Sequence, residues 1–278
     1  MIELPEARTI ARDLRETIVG KTIVSVGGNF TDHKFTFYGG DPDEFDGLLS
    51  GKQVTGAIGR SFYIEVEIED QILLFRDGAA IRYFAAGQKR PDKSKLLLEF
   101  DDGSFLNVTT LMYCFIGVMA RDAVIDNMYY ALDVNGIGAC DARFTLEYFQ
   151  SLINDATLKL STKAFIATEQ RIPGIGNGVT QDILFNAGLH PKRKMSTLSA
   201  DQVEGFYDAV VSTIQQMIEL GGRDTERTIF GTPGGYQTIL SSKTYRKQGC
   251  PNCRSEIVKQ QYLGGSVYFC PNCQPLSE

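Results

Sequence analysis

The most specific chemical pattern in the chain is a group of four cysteines near its C-terminal end. Cys250, Cys253, Cys270 and Cys273 follow the spacing C-x2-C-x16-C-x2-C, and each pair lies within the tetrapeptide CPNC. Thiolates at this spacing can complete a tetrahedral Zn²⁺ site, with two sulfurs supplied by each CxxC turn. Disulfide bonds are the alternative, but a chain without a secretion signal is expected in a reducing compartment. Since four cysteines leave no position for a reactive water, we predict one structural zinc ion.

A second pattern is a glycine-containing turn between two helical segments. The turn PGIGN covers residues 173–177, a helical pattern begins before it at about Lys163, and Asn177 is expected to cap the helix that follows. Glycine lets the backbone approach another molecule closely, and the N–H groups of a helix N-terminus favour an anion. A helix-hairpin-helix motif or a purely structural turn has the same appearance. Because Lys163 precedes the turn and three basic residues, 192–194, follow it, we predict that it binds a phosphate of DNA.

Periodicity predicts the elements that must position these groups. Apolar residues at helical spacing predict an amphipathic helix over residues 6–19, which Gly20 ends. Residues 21–119 form short alternating runs typical of a β-sandwich or barrel, and the pattern after Arg121 is mainly helical. The residues between the two CPNC pairs alternate as in a β-hairpin with Leu263–Gly265 at its tip. We expect three domains, with boundaries at 1–120, 121–242 and 243–278.

Composition and charge narrow the class of protein. The chain has 278 residues, of which 43% are hydrophobic and 22% charged, as is usual for a soluble globular protein. It contains no run of about 20 apolar residues and no signal peptide, so we expect a cytoplasmic monomer that associates with the nucleoid when bound to DNA, with no membrane partner.

The net charge of −6 conceals an uneven distribution. Residues 163–194 and residues 243–278 each carry five basic and two acidic side chains. Local charge decides phosphate binding more than total charge does, so these segments favour nucleic acid as a partner. Lysines on an ordinary solvated surface are the alternative explanation.

Three passages together resemble the formamidopyrimidine-DNA glycosylase and endonuclease VIII family. They are ELPEA near the start, KAFIATEQ…GIGN…LFNAGLHP in the helical half, and CPNC…YFCPNCQ at the end, so the resemblance covers nearly the whole chain. It implies an α+β fold: an N-terminal β-sandwich with flanking helices, a helix–two-turn–helix domain and a zinc finger, with damaged or abasic double-stranded DNA in the cleft between them. It also implies base excision repair, in which a DNA glycosylase and AP lyase flips out an oxidised base, excises it and nicks the strand by β-elimination.

The resemblance also assigns roles to residues near the N-terminus. The family's chain begins Met-Pro-Glu-Leu-Pro-Glu, and removal of Met exposes a prolyl amine that attacks C1′ of the sugar. Here Ile2 replaces that proline, so we expect Met1 to remain and its primary amine, or a water, to be the nucleophile. Glu3 matches the acid that transfers protons, and Glu6 matches the second glutamate of the family's pattern. A surface carboxylate ahead of a helix is the alternative role of Glu3.

The resemblance further suggests residues that touch DNA. Arg60 aligns with a strand lysine that contacts phosphate, and Phe115 aligns with a phenylalanine that fills the gap left by the flipped base, although a core position on a strand is equally expected for it. Gly176 and Asn177 match the family's phosphate-contacting turn. Gly265 stands where the family has an arginine at the hairpin tip, so this tip is expected to present backbone to the DNA.

Three hypotheses follow from these matches and departures. The first is a DNA glycosylase, with or without lyase activity, that uses Glu3. The second is a catalytically impaired module of the same fold that binds damaged DNA, with Ile2 and Gly265 as marks of lost chemistry. The third is a zinc-stabilised nucleic-acid protein with unrelated partners, which requires all three matching passages to arise by chance.

Overall fold

The computed structural model describes residues 1–28, 34–123, 130–131, 135–246 and 249–276. The chain divides into two compact units. The first consists of Met1–Ala131 and Gly221–Gly235, and the second of Leu132–Leu220 and Tyr236–Glu278. Within the described ranges, no helix is both long enough and apolar enough to cross a membrane.

The first unit is a β-sandwich with flanking helices. Its described elements include the helices α1 (Leu4–Ile18) and α2 (Phe45–Leu49) and a short 3₁₀ helix over Pro42–Glu44. Its strands are β1 (Ile23–Gly27), β2 (Thr36–Gly39), β3 (Val54–Arg60), β4 (Tyr63–Ile68), β5 (Gln71–Phe84), β6 (Leu96–Phe100) and β7 (Phe105–Ala120). The strand order is β1-β6-β7-β5-β4-β3, and β2 pairs in parallel with β7. This confirms the β-sandwich predicted from the alternating runs.

The register of the two longest strands breaks at one point. Asp77 of β5 pairs with Cys114 of β7, whereas Ala79 pairs with Thr110, so Gly78 alone faces the three residues Leu111–Tyr113. A Cβ at Gly78 would lie 2.7 Å from the carbonyl oxygen of Tyr113, so only glycine fits there. A bulge of this kind bends both strands and pushes the extra residues out of the ladder.

Helix α1 packs against β3 at very short range. A Cβ at Gly59 would lie 2.2 Å from the carbonyl oxygen of Ala7, which shows how closely the two backbones approach. The buried face of α1, including Ala7, Ile10 and Leu14, joins the apolar core of the sheet. The helix begins two residues earlier than the periodicity predicts, because Pro5 is well suited to the first turn of a helix.

The segment Gly221–Gly235 belongs to the first unit, although the domain boundaries drawn from the sequence place it among the helices. Ile229 is completely buried in the core of the sandwich. The N–H of Tyr83 donates to the carbonyl of Ile229 at 2.9 Å, and Arg82 donates to the carbonyl of Thr228 at 3.0 Å. The segment is therefore fixed to β5.

The second unit is helical and ends in a hairpin. Its helices are α3 (Leu146–Ser151), α4 (Thr162–Ala167), α5 (Asn177–Asn186) and α6 (Ala200–Glu219), with a 3₁₀ helix over Met195–Thr197, and its strands are β8 (Val258–Tyr262) and β9 (Gly265–Phe269). Phe149 packs against Phe165 and Phe206 with ring centroids 5.5 and 5.6 Å apart, respectively. A second apolar cluster joins the hairpin to α5 through Phe185 and Tyr268. The hairpin turns at Leu263 and Gly264, as predicted.

Candidate active site and nucleic-acid interface

The first residues of the chain are held inside the first unit. The N–H of Ile2 donates to the carbonyl of Asp77 at 2.9 Å, and the Ile2 side chain is buried in the core. The amino group of Met1 contacts the carboxylate of Glu226. Because Ile2 is an apolar core residue, it anchors the N-terminus but offers no reactive group of its own.

Glu3 and Glu6 are buried around a single arginine that the sequence patterns did not indicate. Nε of Arg223 donates to Oε1 of Glu6 at 2.9 Å, and Nη2 donates to Oε2 at 2.6 Å, which is a bidentate pair. Nη1 of Arg223 lies 3.6 Å from Oε1 of Glu3. The side chains of all three residues are at most 5% exposed. Glu3 is therefore not the surface carboxylate that the alternative hypothesis required.

The negative charges of the carboxylates stabilise the positive charge of Arg223 in this cluster. Burial opposes the charge on Arg223, but the nearby carboxylates of Glu3 and Glu6, with that of Glu226, outweigh burial and raise the pKa of Arg223. Burial also raises the pKa of Asp77, against the opposing effect of Arg76 and the N-terminal amine. Asp77 has a backbone φ of 58°, which is uncommon for a residue other than glycine. Acidic groups thus surround the amine of Met1.

A cavity of about 170 Å³ opens beside this cluster within the first unit. Its lining combines the N-terminus with acidic, basic and apolar side chains. The residues that matter for its chemistry are Met1, Glu6, Asp77, Arg82, Leu111, Glu226 and Arg227. The cavity therefore brings an amine and several carboxylates to one concave surface.

The bulge of β7 presents apolar side chains to solvent at the edge of this cavity. Leu111 is 68% exposed, Met112 46% and Tyr113 53%. The ring of Tyr113 stacks on that of Phe37, with centroids 6.4 Å apart. Phe115 is only partly buried, and its ring lies against the backbone of β2, where a Cβ at Gly39 would come within 2.7 Å of it. Phe115, which the resemblance assigns to the gap left by a flipped base, thus lies two positions beyond the last of these three exposed residues.

Arg60 lies on the sandwich and has an ion-pair partner there. Its Nε donates to Oε2 of Glu65 at 3.1 Å, and the Glu65 side chain is 5% exposed. The hydroxyl of Tyr130 donates to the other oxygen of Glu65 at 2.8 Å. A phosphate at Arg60 would therefore compete with this carboxylate.

In the second unit, Lys163 is joined to the hairpin. Its Nζ donates to the carbonyl of Tyr262 at 2.7 Å and lies 5.9 Å from the centre of the Tyr262 ring. Nζ of Lys192 lies 5.4 Å from the same ring. Burial lowers the pKa of Lys163. Two cations therefore converge on one aromatic side chain next to the hairpin turn.

Asn177 and Gly265 meet at the N-terminus of α5. Gly176 occupies the N-cap position, so the prediction that Asn177 caps this helix is wrong. Asn177 is instead the first helical residue, and its Nδ2 donates to the carbonyl of Ser266 at 3.2 Å. A Cβ at Gly265 would lie 3.1 Å from Oδ1 of Asn177. The structure thus brings Lys163, Gly176, Asn177 and Gly265 to one part of the second unit.

The four cysteines form one compact group. The Sγ atoms of Cys250 and Cys273 are 3.6 Å apart, those of Cys253 and Cys270 are 3.4 Å apart, and all four lie within 4.8 Å of one another. A tetrahedral zinc ion with Zn–S bonds of about 2.3 Å requires sulfurs about 3.8 Å apart, so the donor set fits such an ion. These residues can hold one metal ion.

Two models of known protein families match the chain. The formamidopyrimidine-DNA glycosylase N-terminal domain matches residues 1–111, and the formamidopyrimidine-DNA glycosylase H2TH domain matches residues 136–228. A formamidopyrimidine-DNA glycosylase from Roseiflexus sp. (strain RS-1) is 31% identical over 296 residues, covering 99% of this chain and 100% of the relative. The chain belongs to the formamidopyrimidine-DNA glycosylase family.

Other relatives agree with this assignment. A formamidopyrimidine-DNA glycosylase from Streptococcus pneumoniae serotype 4 is 26% identical over 279 residues, covering 99% of both chains. The Lactococcus lactis Fpg in complex with an abasic site containing DNA has a TM-score of 0.82 at 24% identity, over 98% of this chain and 99% of the other. The same Fpg has also been solved with an oxidized pyrimidine containing DNA, with a TM-score of 0.81 at 25% identity and the same coverage. The predicted α+β fold is confirmed.

Proposed function

We propose that this protein is a DNA glycosylase that repairs damaged DNA. The observation that carries the proposal is the buried group of Glu3, Glu6 and Arg223 beside the N-terminal amine, in a chain of the formamidopyrimidine-DNA glycosylase family. Relatives of this family bind abasic and oxidised DNA. Buried acids next to a cavity are typical of catalytic sites.

In this proposal Glu3 supplies the proton that the departing base needs. Excision breaks the bond between C1′ of the sugar and a nitrogen of the base. The Glu3 carboxylate first takes up a proton from solvent, and the base then leaves with that proton. Either the amine of Met1 or a water forms the new bond to C1′. If the amine attacks, it must first lose a proton, and the carboxylate of Glu226 is the base in contact with it. The C1′–O4′ bond then opens, O4′ takes up a proton and the amine nitrogen loses one, which gives an imine. Loss of a C2′ proton and of the 3′-phosphate from this imine nicks the strand by β-elimination.

The bulge of β7 forms the wedge, by which we mean the side chains that fill the gap left by a flipped base. Leu111, Met112 and Tyr113 are exposed apolar residues, and Leu111 lines the cavity. Bulky apolar side chains can enter the stack of base pairs and fill the space that a flipped nucleotide leaves. Phe115 packs its ring on β2 two positions beyond Tyr113, and so supports the bulge from behind.

The second unit grips the sugar-phosphate backbone. Lys163 and Lys192 supply positive charge, and Gly176 and Asn177 supply backbone N–H groups and an amide at a helix N-terminus. The four cysteines would hold one zinc ion, which would fix the hairpin, and with it Gly265, against Asn177. Arg60 adds a phosphate contact on the first unit by exchanging Glu65 for the phosphate.

The decisive experiment measures covalent trapping and base release together. We expect borohydride to trap the protein on abasic duplex DNA, and a panel of oxidised and alkylated duplexes to include at least one from which the base is released. Glu3→Gln should abolish release while leaving binding intact, with Glu16→Gln on the outer face of α1 as the matched control. Peptide mass mapping of the trapped protein shows whether Met1 carries the new bond.

The competing hypothesis of a binding module makes the opposite prediction. Ile2 in place of the family's proline is the observation that favours it. Tight binding to abasic DNA without trapping, release or nicking on any duplex would exclude the glycosylase and leave the module.

A further inference from the structure

Glu6 uses its whole hydrogen-bonding capacity within the protein. Its oxygens accept from Nε, Nη2 and the backbone N–H of Arg223, at 2.9, 2.6 and 3.2 Å, and from the backbone N–H of Glu3 at 3.3 Å. An ionised carboxylate offers about four acceptor sites, so these four donors occupy them. Glu6 is therefore engaged as a structural anion and has no site left for a substrate proton.

Glu3 has a different relation to the same arginine. The distance of 3.6 Å between Nη1 of Arg223 and Oε1 of Glu3 is too long for a hydrogen bond, so the two interact as charges only. Nη2 of Arg223 also reaches the carbonyl of Met1 at 3.5 Å. One guanidinium thus contacts the residues on both sides of Ile2, as well as the first turn of α1.

Arg223 is itself held by the core of the first unit. Gly221 and Gly222 have φ values of 79° and 88°, a conformation that favours glycine, and they lead directly into Arg223. Gly234 packs on this turn so closely that a Cβ there would lie 2.3 Å from the carbonyl oxygen of Gly222. Ile229, further along the segment, is completely buried in the sandwich. The backbone that carries the Arg223 guanidinium is therefore fixed by its own packing, independently of α1.

From this geometry we infer that Arg223 is a positioning residue for the glycosylase reaction. Through its bidentate pair with Glu6 it fixes the start of α1, and with it Glu3 and the amine of Met1, beside the cavity that Met1 and Glu6 line. The inference rests on the proposed function. Arg223 acts in this arrangement through Glu6 and not on the substrate, since its side chain is only 3% exposed. Its effect is on the rate of the chemical step and not on DNA affinity.

The test compares rate with affinity in two variants. Arg223→Lys keeps the charge but loses the planar fork. The double variant Glu6→Gln with Arg223→Met removes both charges of the pair, so neither partner is left as an isolated buried charge. This double variant keeps the inference testable if Arg223→Lys fails to fold. Arg8→Lys, at an exposed position of the same helix, is the control. We measure base release at saturating DNA in a single turnover, and the Kd for a duplex with an uncleavable abasic analogue.

We expect both test variants to lose roughly tenfold to a hundredfold in rate, since misplacement by about 1 Å has such an effect, while Kd and the control stay at wild-type values. A double-mutant cycle with Glu3→Asp gives a second readout. If Arg223 acts through Glu3, the losses from Arg223→Lys and Glu3→Asp are less than multiplicative.

Two results would overturn the inference alone: an active wild type whose rate Arg223→Lys leaves unchanged, or losses that multiply fully in the cycle. A wild type that neither releases a base nor nicks any duplex refutes the proposed function, and the inference with it.

Discussion

The contact between Gly59 and Ala7 gives the sharpest prediction about the placement of the active site. In Gly59→Ala, the new Cβ would lie 2.2 Å from the carbonyl oxygen of Ala7 and 2.7 Å from the N–H nitrogen of Arg8, and both obstacles are backbone atoms. Since Cβ contacts below about 3 Å do not persist in close-packed interiors, α1 must move away from β3 by about 1 Å. Overpacking of this kind costs about 1–3 kcal/mol of unfolding free energy.

The displacement should affect both stability and chemistry. We expect the melting temperature of the first unit to fall by roughly 2–12 °C. Because Glu3 lies at the N-terminus of α1, the rate of base release should fall by a factor on the order of ten to a hundred. Gly27→Ala in β1 is the matched control, because nothing lies within 4 Å of its Cβ position.

Calorimetry and single-turnover kinetics on the two alanine variants decide the matter. The reasoning fails if Gly59→Ala melts at the same temperature as Gly27→Ala and releases the base equally fast. A loss of stability with an unchanged rate would show that α1 adapts without disturbing Glu3.

Four further predictions concern binding, metal and pH. Asn177→Ala and Lys163→Ala should weaken binding to all duplex sequences alike and reduce the slope of log Kd against log salt, and sequence-selective losses would contradict phosphate contact. Leu111→Ser should weaken binding to abasic but not to undamaged duplex in fluorescence anisotropy, and equal losses on both would argue against the wedge. Chelation should abolish hydrogen-exchange protection of the hairpin amides, which should return with added Zn²⁺, whereas protection unchanged by chelation would show that no metal is needed. Burial and the nearby charge of Lys192 lower the pKa of His190 in the folded state. The neutral imidazole therefore stabilises the fold above the ordinary histidine pKa of about 6.5, and this stabilisation is lost as the pH falls below that value. Urea midpoints at pH 7.5 and 5.5 should differ in wild type and differ less in His190→Asn; equal pH dependence in both would exclude this role.

Local patterns in the sequence were sufficient for several parts of the molecule. The spacing of the cysteines predicted a compact group of four sulfurs, because a CxxC turn places two thiols side by side whatever surrounds it. The helix at the start of the chain and the hairpin near its end followed from periods of 3.6 and 2 residues. The glycines of PGIGN predicted a turn before a helix, and only the residue at the N-cap position differed.

The candidate active site depends on contacts between residues that are far apart in the chain. Arg223 lies 217 positions from Glu6, and Glu226 lies 225 positions from Met1. A glycine-rich segment that contains an arginine is typical of an exposed loop, since charged residues are mostly found at the surface. Its burial became favourable only when the fold supplied two carboxylates and a rigid anchor at Ile229.

The sequence by itself determined the local elements and the compact group of cysteines, because each depends on residues that are close together in the chain. Three separate passages, compared as patterns, were sufficient for the family. Only the tertiary structure decided which of two similar glutamates is fully engaged by Arg223 and which apolar residues of β7 face solvent. Both outcomes are set by packing and desolvation, and a side chain acquires these only from partners that the folded chain brings to it.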